Sequence, residues 1–445
     1  MILITGLGPG DIARIPGPVL DILLDPSRTV IARTVNHPAA AQLAERRDVT
    51  FCDDIYEEEH TFESVYSAIA DRVLAAAKEG QVVVYAVPGG PGMGEFAVRE
   101  IIARGEEVEV LNTETFVDAI LAEVGYDPFE RGLQILNGHE LPFPLIVDKP
   151  TIVGHVDRPE VLADVAANLS RVIPEHAEVR LFSGLGAEGA VSWSGTIDDV
   201  DPSLAGYRTS IWIDVEPGGL VGAIRTMQRL RRECPWDREQ THASLTKHLV
   251  EEAYELIEAV AGLEPDDMVA YARVEEEVGD VLLQVLFQAA IGAETGAFDI
   301  DDVAEVLRQK LVRRHPHVFG NVEVADAAEV KSNWDAIKRE EKGGGSTDPF
   351  EGIPPGMPAL HRASKVQNRA SKAGLRNDER PLREVADALA SLEGHDGVDA
   401  EEIVGLILFD LVDYSRRAGL DAEIALIQAI ARFESDVNAI ESDRA

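Results

Sequence analysis

At DVEPGGL, residues 214–220, the hydrophobic period of this chain changes, and that change constrains its architecture more tightly than any single motif. Before it, short β-branched runs alternate with helical periods; after it, apolar residues recur every three or four positions. The first part predicts an α/β domain over residues 1–216, with candidate strands in MILITGL, QVVVYAV, VEVLN, FPLIVDK and AEVRLFSG. The second predicts an all-α bundle over 217–342, carried by GLVGAIRTMQRLRR, HASLTKHLVEEAYELIEAVAG, VEEEVGDVLLQVLFQAAIGAE, DIDDVAEVLRQKLVRR and AEVKSNWDAIKREEK. GGGSTDPFEGIPPG at 343–356 has the glycine and proline content of a linker, and 357–445 are helical again. A multidomain chain follows, since 445 residues exceed the roughly 150 typical of one domain.

The last segment reads as a repeat of the bundle. Aligning VEEEVGDVLLQVLF (274–287) with AEEIVGLILFDLVD (400–413) superposes two Val-Gly pairs and the apolar run behind them. The same register sets Ile403 opposite Glu277 and Leu406 opposite Asp280, while Glu384 and Asp387 match Glu252 and Glu255. Half of the acidic set is therefore missing from the second copy, which reads as degenerate.

Residues three or four apart share a helical face, so Leu245, His248, Leu249, Glu252, Glu255 and Leu256 form one stripe. Glu277, Asp280, Leu283, Gln284 and Phe287 form another. Carboxylates gathered on two facing stripes repel and protonate unless cations neutralise them, and all-oxygen donors favour a hard ion, Mg²⁺ first and Mn²⁺ next. The competing reading is a pair of solvated acidic faces; against it, Glu251, Glu252, Glu277 and Asp280 are followed four residues later by Glu255, Leu256, Val281 and Gln284, none of them a cation. Downstream, Lys310 and Arg314 stand one turn apart before Pro316, as do Trp334 and Lys338 in SNWDAIK. These suit phosphate and base contact, or equally helix-dipole compensation and core packing.

CPWDREQTHASL, LVEEAYELIEA, EEEVGDVLLQVLF, KLVRRHPHVFG and NWDAIK, in this order, resemble the MazG family of nucleoside triphosphate pyrophosphohydrolases, from Leu220 to Lys342. The resemblance implies a Mg²⁺-dependent, all-α enzyme that converts an NTP or dNTP to the monophosphate and pyrophosphate, built as a homodimer. By motif position it implies Glu252, Glu255, Glu277 and Asp280 as metal ligands and Glu251 as the residue orienting the attacking water. Lys310, Arg314, Trp334 and Lys338 would engage the nucleotide. With Ile403 and Leu406 unable to bind metal, the first copy carries the chemistry.

In the N-terminal part, glycines fall at 6, 8 and 10 in GLGPGD, outside the G-x-G-x-x-G register and without a P-loop lysine. Alone, this is a strand-to-helix turn as readily as a ligand loop. Together, GLGPGDI, IARTVNHPA, VVVYAVPGGPGMGE and NTETFVDAILAEVGYDPFERGLQIL are similar to the tetrapyrrole methylase family, over residues 1–214. That implies two α/β subdomains and S-adenosylmethionine near Gly6, Gly8, Pro9, Gly10, Pro88, Gly89 and Gly90. GGPGMG and NTETF depart from the family's usual loops, and no methyl acceptor can be named.

With 80 acidic against 41 basic residues the formal charge is −39, which repels nucleic acid and anionic lipid alike. No run of eighteen apolar residues and no signal-like N-terminus is present, so a cytoplasmic protein is expected. Cys52 and Cys234, without CxxC spacing, are expected to be reduced thiols. The functional expectation is NTP pyrophosphohydrolysis in nucleotide-pool housekeeping. Its rivals are S-adenosylmethionine-dependent methylation by the N-terminal domain as the main activity, and a nucleotide sensor that does not hydrolyse.

Overall fold

The structure is a computed structural model that describes residues 1–59, 61–77, 81–261, 263, 266–341, 348–375, 382–392 and 398–442. It divides into two compact units, Met1–Thr226 and Met227–Ala445.

The first unit holds two five-stranded sheets. β1 (Ile2–Gly6), β2 (Thr29–Ala32), β3 (Thr50–Phe51), β4 (Val83–Val87) and β5 (Val108–Leu111) make an all-parallel sheet in the order β3-β2-β4-β1-β5. β1 and β4 are buried along their whole length, because helices cover both faces, as a parallel sheet requires. α1 (Gly17–Leu24) and α2 (Pro38–Ala44) pack Val19, Leu23, Ala40 and Leu43 on one face; α3 (Asp53–Glu58), α4 (Phe62–Ala77) and α5 (Phe96–Arg104) pack Ile55, Val65, Ile69, Val98 and Ile101 on the other.

The second sheet is mixed, in the order β6-β7-β10-β8-β9, from β6 (Gln134–Asn137), β7 (Thr151–Gly154), β8 (Glu178–Ser183), β9 (Val191–Thr196) and β10 (Thr209–Ile213). α6 (Phe116–Val124) begins at a Thr115/Asp118 capping box and packs with Ile152, Phe182 and Trp212; α7 (Pro128–Arg131) is one short turn. α8 (Pro159–Leu169) buries Leu162, Val165 and Leu169 on the opposite face. The expected strand at FPLIVDK does not form. Pro142 and Pro144 lack the N–H a ladder needs, so the strand starts beyond the next proline, at Thr151.

The second unit is helical beyond α9 (Gly219–Glu233), which spans the boundary between units, and the one-turn α10 (Pro235–Glu239). α11 (Thr246–Ala261) and α12 (Met268–Glu294) pack on each other; α13 (Ile300–Arg314) packs on α12, α14 (Pro316–Phe319) and α15 (Ala327–Glu341). Buried Arg231 on α9 donates to both carboxylate oxygens of Glu294 and to the Asp237 and Gln240 carbonyls, fixing the segment after α9 onto the end of α12.

In the second helical set, α16 (Ala359–Lys372) and α17 (Leu382–Ser391) pack on α18 (Val398–Arg417), with α19 (Ala422–Ser442) beside them. α17 and α18 thus pair as α11 and α12 do. Of the linker expected at 343–356, residues 343–347 lie outside the described residues, and 348–356 are turns and irregular chain. Among the described residues no helix is long and apolar enough to cross a membrane.

Candidate active site

α11 and α12 each carry a carboxylate pair at i, i+3, and their packing brings part of the two pairs together. One carboxylate oxygen from each of Glu252, Glu277 and Asp280 lies within 4.8 Å of the others, all three half-buried. Among the described residues this is the one such group that could hold a metal ion. Burial raises the Glu252 carboxyl above its ordinary value, and the charges of Asp280, Glu255 and Glu277 push it further in the same direction. Glu277 is likewise raised, by desolvation and then by Glu255 and Asp280. Such a group resists holding all its charge without a cation.

Glu255 is exposed and outside the three-oxygen set, although its charge acts on both Glu252 and Glu277. Exposed Glu251 pairs with His248 at 3.2 Å. His248 in turn meets the half-exposed Trp236 ring edge-on at 6.1 Å, one helical turn before Glu252. His248 is on the stripe read from the sequence, but without a role of its own; Trp236 was not marked there, and the CPW stretch ahead of the helix is the signal that held it.

The expected nucleotide contacts sit on α13 and α15. Arg314 lies over the Trp334 ring at 5.2 Å, and His315 meets the same ring at 4.9 Å. Arg314 also donates to Glu341 at 2.6 Å, as does neighbouring Arg313, and these two guanidinium groups hold the Glu341 carboxyl down, at about 2. Lys310 is half-buried on the face that carries Arg314, and Lys338 is exposed one turn beyond Trp334. Arg313, His315 and Glu341 are additions that the sequence did not mark.

In the second helical set Glu384 and Asp387 are exposed on α17, Ile403 is half-buried and Leu406 is exposed. Among the described residues no carboxylate cluster replaces the two lost acids.

In the first unit the two glycine loops meet. Gly8 and Gly89 exchange backbone hydrogen bonds of 3.1 Å each, both at positive φ, +70° and +66°. Added Cβ atoms at these two would face open space. At Gly6 a Cβ would fall 1.9 Å from the Gly89 carbonyl, at Gly10 2.1 Å from the Gly186 carbonyl, and at Gly90 2.5 Å from Thr115 Cγ2. Three glycines are thus required by close packing of the chain on itself, and two leave room for a ligand. Pro9 is buried and Pro88 half-buried beside them. His37 is buried against the Gly8 backbone; burial, reinforced by Arg208, lowers its pKa to about 4, so it is neutral at pH 7.

Next to the second loop lies a polar cluster absent from the sequence reading. Buried Glu95 accepts from Arg33 at 2.6 Å, Arg33 donates to Tyr56 at 2.9 Å, and among the described residues the Glu95 Oε2 and Tyr85 hydroxyl have no hydrogen-bond partner. Desolvation raises Glu95 to about 7, against the opposing pull of Arg33. His155, in the left-handed region at φ 57°, has its ring against Gly94. A 660 Å³ groove elsewhere on the unit is lined by Arg131, Asp148, Lys149, Asp214, Glu216 and Arg225. Two of its charge pairs are already made, Arg131 with Asp214 at 2.7 Å and Lys149 with Asp148 at 3.7 Å.

The sequence model of the MazG nucleotide pyrophosphohydrolase domain matches residues 240–319, and that of the tetrapyrrole (corrin/porphyrin) methylases matches residues 1–201. Over 381 residues the chain is 36% identical to the protein YabN of Bacillus subtilis, covering 82% of this chain and 76% of that one. It is 41% identical over 215 residues to the nucleoside triphosphate pyrophosphohydrolase/pyrophosphatase MazG of Thermotoga maritima, covering 47% of this chain and 80% of that one. With the nucleoside triphosphate pyrophosphohydrolase of Escherichia coli it shares 37% identity over 232 residues, 49% of this chain and 85% of that one.

Proposed function

We propose, for a chain that belongs to the MazG family of nucleotide pyrophosphohydrolases and carries a tetrapyrrole methylase domain ahead of it, that the first helical repeat hydrolyses NTPs or dNTPs to the monophosphate and pyrophosphate. The observation that carries this reading is the convergence of Glu252, Glu277 and Asp280 within 4.8 Å. The raised proton affinity of Glu252 and Glu277 is what a divalent cation would relieve, and the all-oxygen donor set suits Mg²⁺, with Mn²⁺ as substitute. Glu255 would complete the set from the next turn. When bound, the metal would neutralise these carboxylates, lower the pKa of a water and balance charge on the leaving pyrophosphate.

The chain's own residues supply the rest. Glu251, paired with His248, would orient the attacking water. Lys310, Arg314 and Lys338 would hold phosphate oxygens, and Trp334 would engage the nucleotide with Arg314 fixed against its ring. Leu249, Val250, Val278 and Leu282, exposed on α11 and α12, favour a homodimer packed through these helices. The role is housekeeping of the nucleotide pool, in the cytoplasm. Pyrophosphate release across the eight common NTPs and dNTPs tests this: it should require Mg²⁺ and vanish in Glu252→Gln and Asp280→Asn chains of unchanged helicity. Full turnover in either variant rejects the assignment. Binding without turnover in the parent chain favours the sensor.

For the first unit we propose that S-adenosylmethionine lies against Gly6, Gly8, Pro9, Gly10, Pro88, Gly89 and Gly90, on the open side left at Gly8 and Gly89. Methylation as the main activity is the second reading. Titration calorimetry with the cofactor decides, and no heat at millimolar ligand removes it.

A further inference from the structure

Among the described residues, α13 presents Lys310, Arg313 and Arg314 at i, i+3 and i+4, and α15 presents Trp334, Lys338 and Glu341 at i, i+4 and i+7. In a chain of net charge −39, these two faces bring two guanidinium groups to one carboxylate. Glu341 Oε1 accepts from Arg313 Nε at 2.6 Å, and Oε2 accepts from Arg314 Nη2 at 2.6 Å and Nε at 3.2 Å. The Arg314 side chain is only 13% exposed and the Glu341 side chain 20%. Trp334, itself braced by His315, backs the Arg314 guanidinium and fixes its plane. Paired guanidinium forks are the geometry in which arginine binds phosphate oxygens, and a carboxylate offers them the same two-oxygen edge.

We propose that Arg313 and Arg314 form an anion seat for the polyphosphate of the substrate, filled in the ligand-free chain by Glu341, which the incoming phosphate displaces. This rests on the reading that α13 and α15 hold the nucleotide, and it adds Arg313 as a phosphate contact and Glu341 as the internal competitor. A simple tie between α13 and α15 predicts the opposite sign: freeing Arg314 from its partner would let it wander and weaken anion binding. A competing occupant, once removed, leaves the seat open and the anion binds more tightly.

Inorganic triphosphate is the probe, titrated calorimetrically into the full chain without divalent metal, so that neither turnover nor the carboxylate group contributes. Glu341→Gln should lower its Kd by about five- to tenfold, the range expected when one charge-assisted contact no longer competes. Adding Arg313→Gln to that variant should abolish the gain. Glu341→Ser must shift Kd in the same direction, and a circular dichroism melt of each variant establishes that it is folded. Unchanged or weaker binding in folded Glu341→Gln, or a gain that survives loss of Arg313, overturns the proposal. Tightened triphosphate binding in a chain that releases no pyrophosphate from any NTP would sink the hydrolase reading and keep the seat. Full NTP turnover with unaltered triphosphate affinity would do the reverse.

Discussion

Glu95 makes a prediction with a defined sign and size. Its side chain is 4% exposed, one oxygen is bound by Arg33 and the other has no hydrogen-bond partner among the described residues. Burial lifts its pKa from 4.5 to about 7. The folded chain therefore holds this proton more tightly than the unfolded chain. Below pH 4.5 both states are protonated and the residue imposes no penalty. Between pH 4.5 and 7 the unfolded state releases its proton first, so stability falls as pH rises; above 7 the loss is complete. At 1.36 kcal/mol per pH unit the total is about 3 kcal/mol. Glu95→Gln removes the titration, so the variant should gain about 3 kcal/mol on the parent between about pH 4.5 and 8.

Cys52 reports this in the intact chain. It is 0% exposed in the core of the first sheet, so a thiol reagent reaches it only when that sheet opens. In a Cys234→Ser background, labelling by an aromatic disulfide under fast-reclosing conditions measures the opening free energy. The ratio of the parent rate to that of the Glu95→Gln variant cancels the thiolate fraction at each pH. That ratio should rise about a hundredfold from pH 5 to pH 8. A flat ratio would refute the reasoning: Arg33 would then keep Glu95 ionised throughout, and the ion pair would outweigh burial.

Because the carboxyls of Glu252 and Glu277 are raised, protons compete with any divalent cation there, and the half-saturating Mg²⁺ concentration should fall as pH rises from about 5 to 7; calorimetry of Mg²⁺ binding checks it, and a pH-independent affinity contradicts it. Gly6→Ala should destabilise the first unit by about 3 kcal/mol, since its Cβ would meet the Gly89 carbonyl and Thr113 Oγ1 at 1.9 and 2.0 Å, whereas Gly17→Ala, with nothing within 4 Å, should leave the Cys52 labelling rate unchanged. Glu384→Gln should leave pyrophosphate release untouched, and a large loss would transfer the chemistry to the second helical set.

What the sequence disclosed followed from periodicity. Carboxylates at i, i+3 on two long amphipathic stripes locate Glu252, Glu277 and Asp280 before any coordinates, because a helix fixes which residues share a face. The fully buried, largely apolar strands β1 and β4 were equally plain. β2 and β10 were not, since three apolar residues in a row behind a threonine or a Thr-Ser pair are ambiguous. FPLIVDK had the right composition, but Pro144 within it and Pro142 and Pro150 on either side moved the strand downstream. Arg33 and Glu95 are joined only by the return of the chain through β4, and no local pattern foretells their meeting. Glu341 looked like one more surface acid in KREEK; its distinction lies in the two arginines from another helix.

An acidic chain that acts on a polyanion faces an electrostatic contradiction, and the second unit separates it into two parts. On α11 and α12, three carboxylates crowd to within 4.8 Å, and Glu252 and Glu277 hold their protons more firmly than an ordinary carboxyl, a state that a cation resolves. On α13 and α15, cations gather around one carboxylate, a state that an anion can enter by exchange. Free nucleotide suits only the second surface and free metal only the first; a metal–polyphosphate complex suits both at once. The proposed substrate is thus the species whose charges answer the two imbalances together. The second helical set lacks this logic: with Ile403 and Leu406 in the acidic register, the described residues of α17 and α18 gather no carboxylate cluster for a cation to relieve, and the packing of the two helices is sufficiently explained by burying apolar surface.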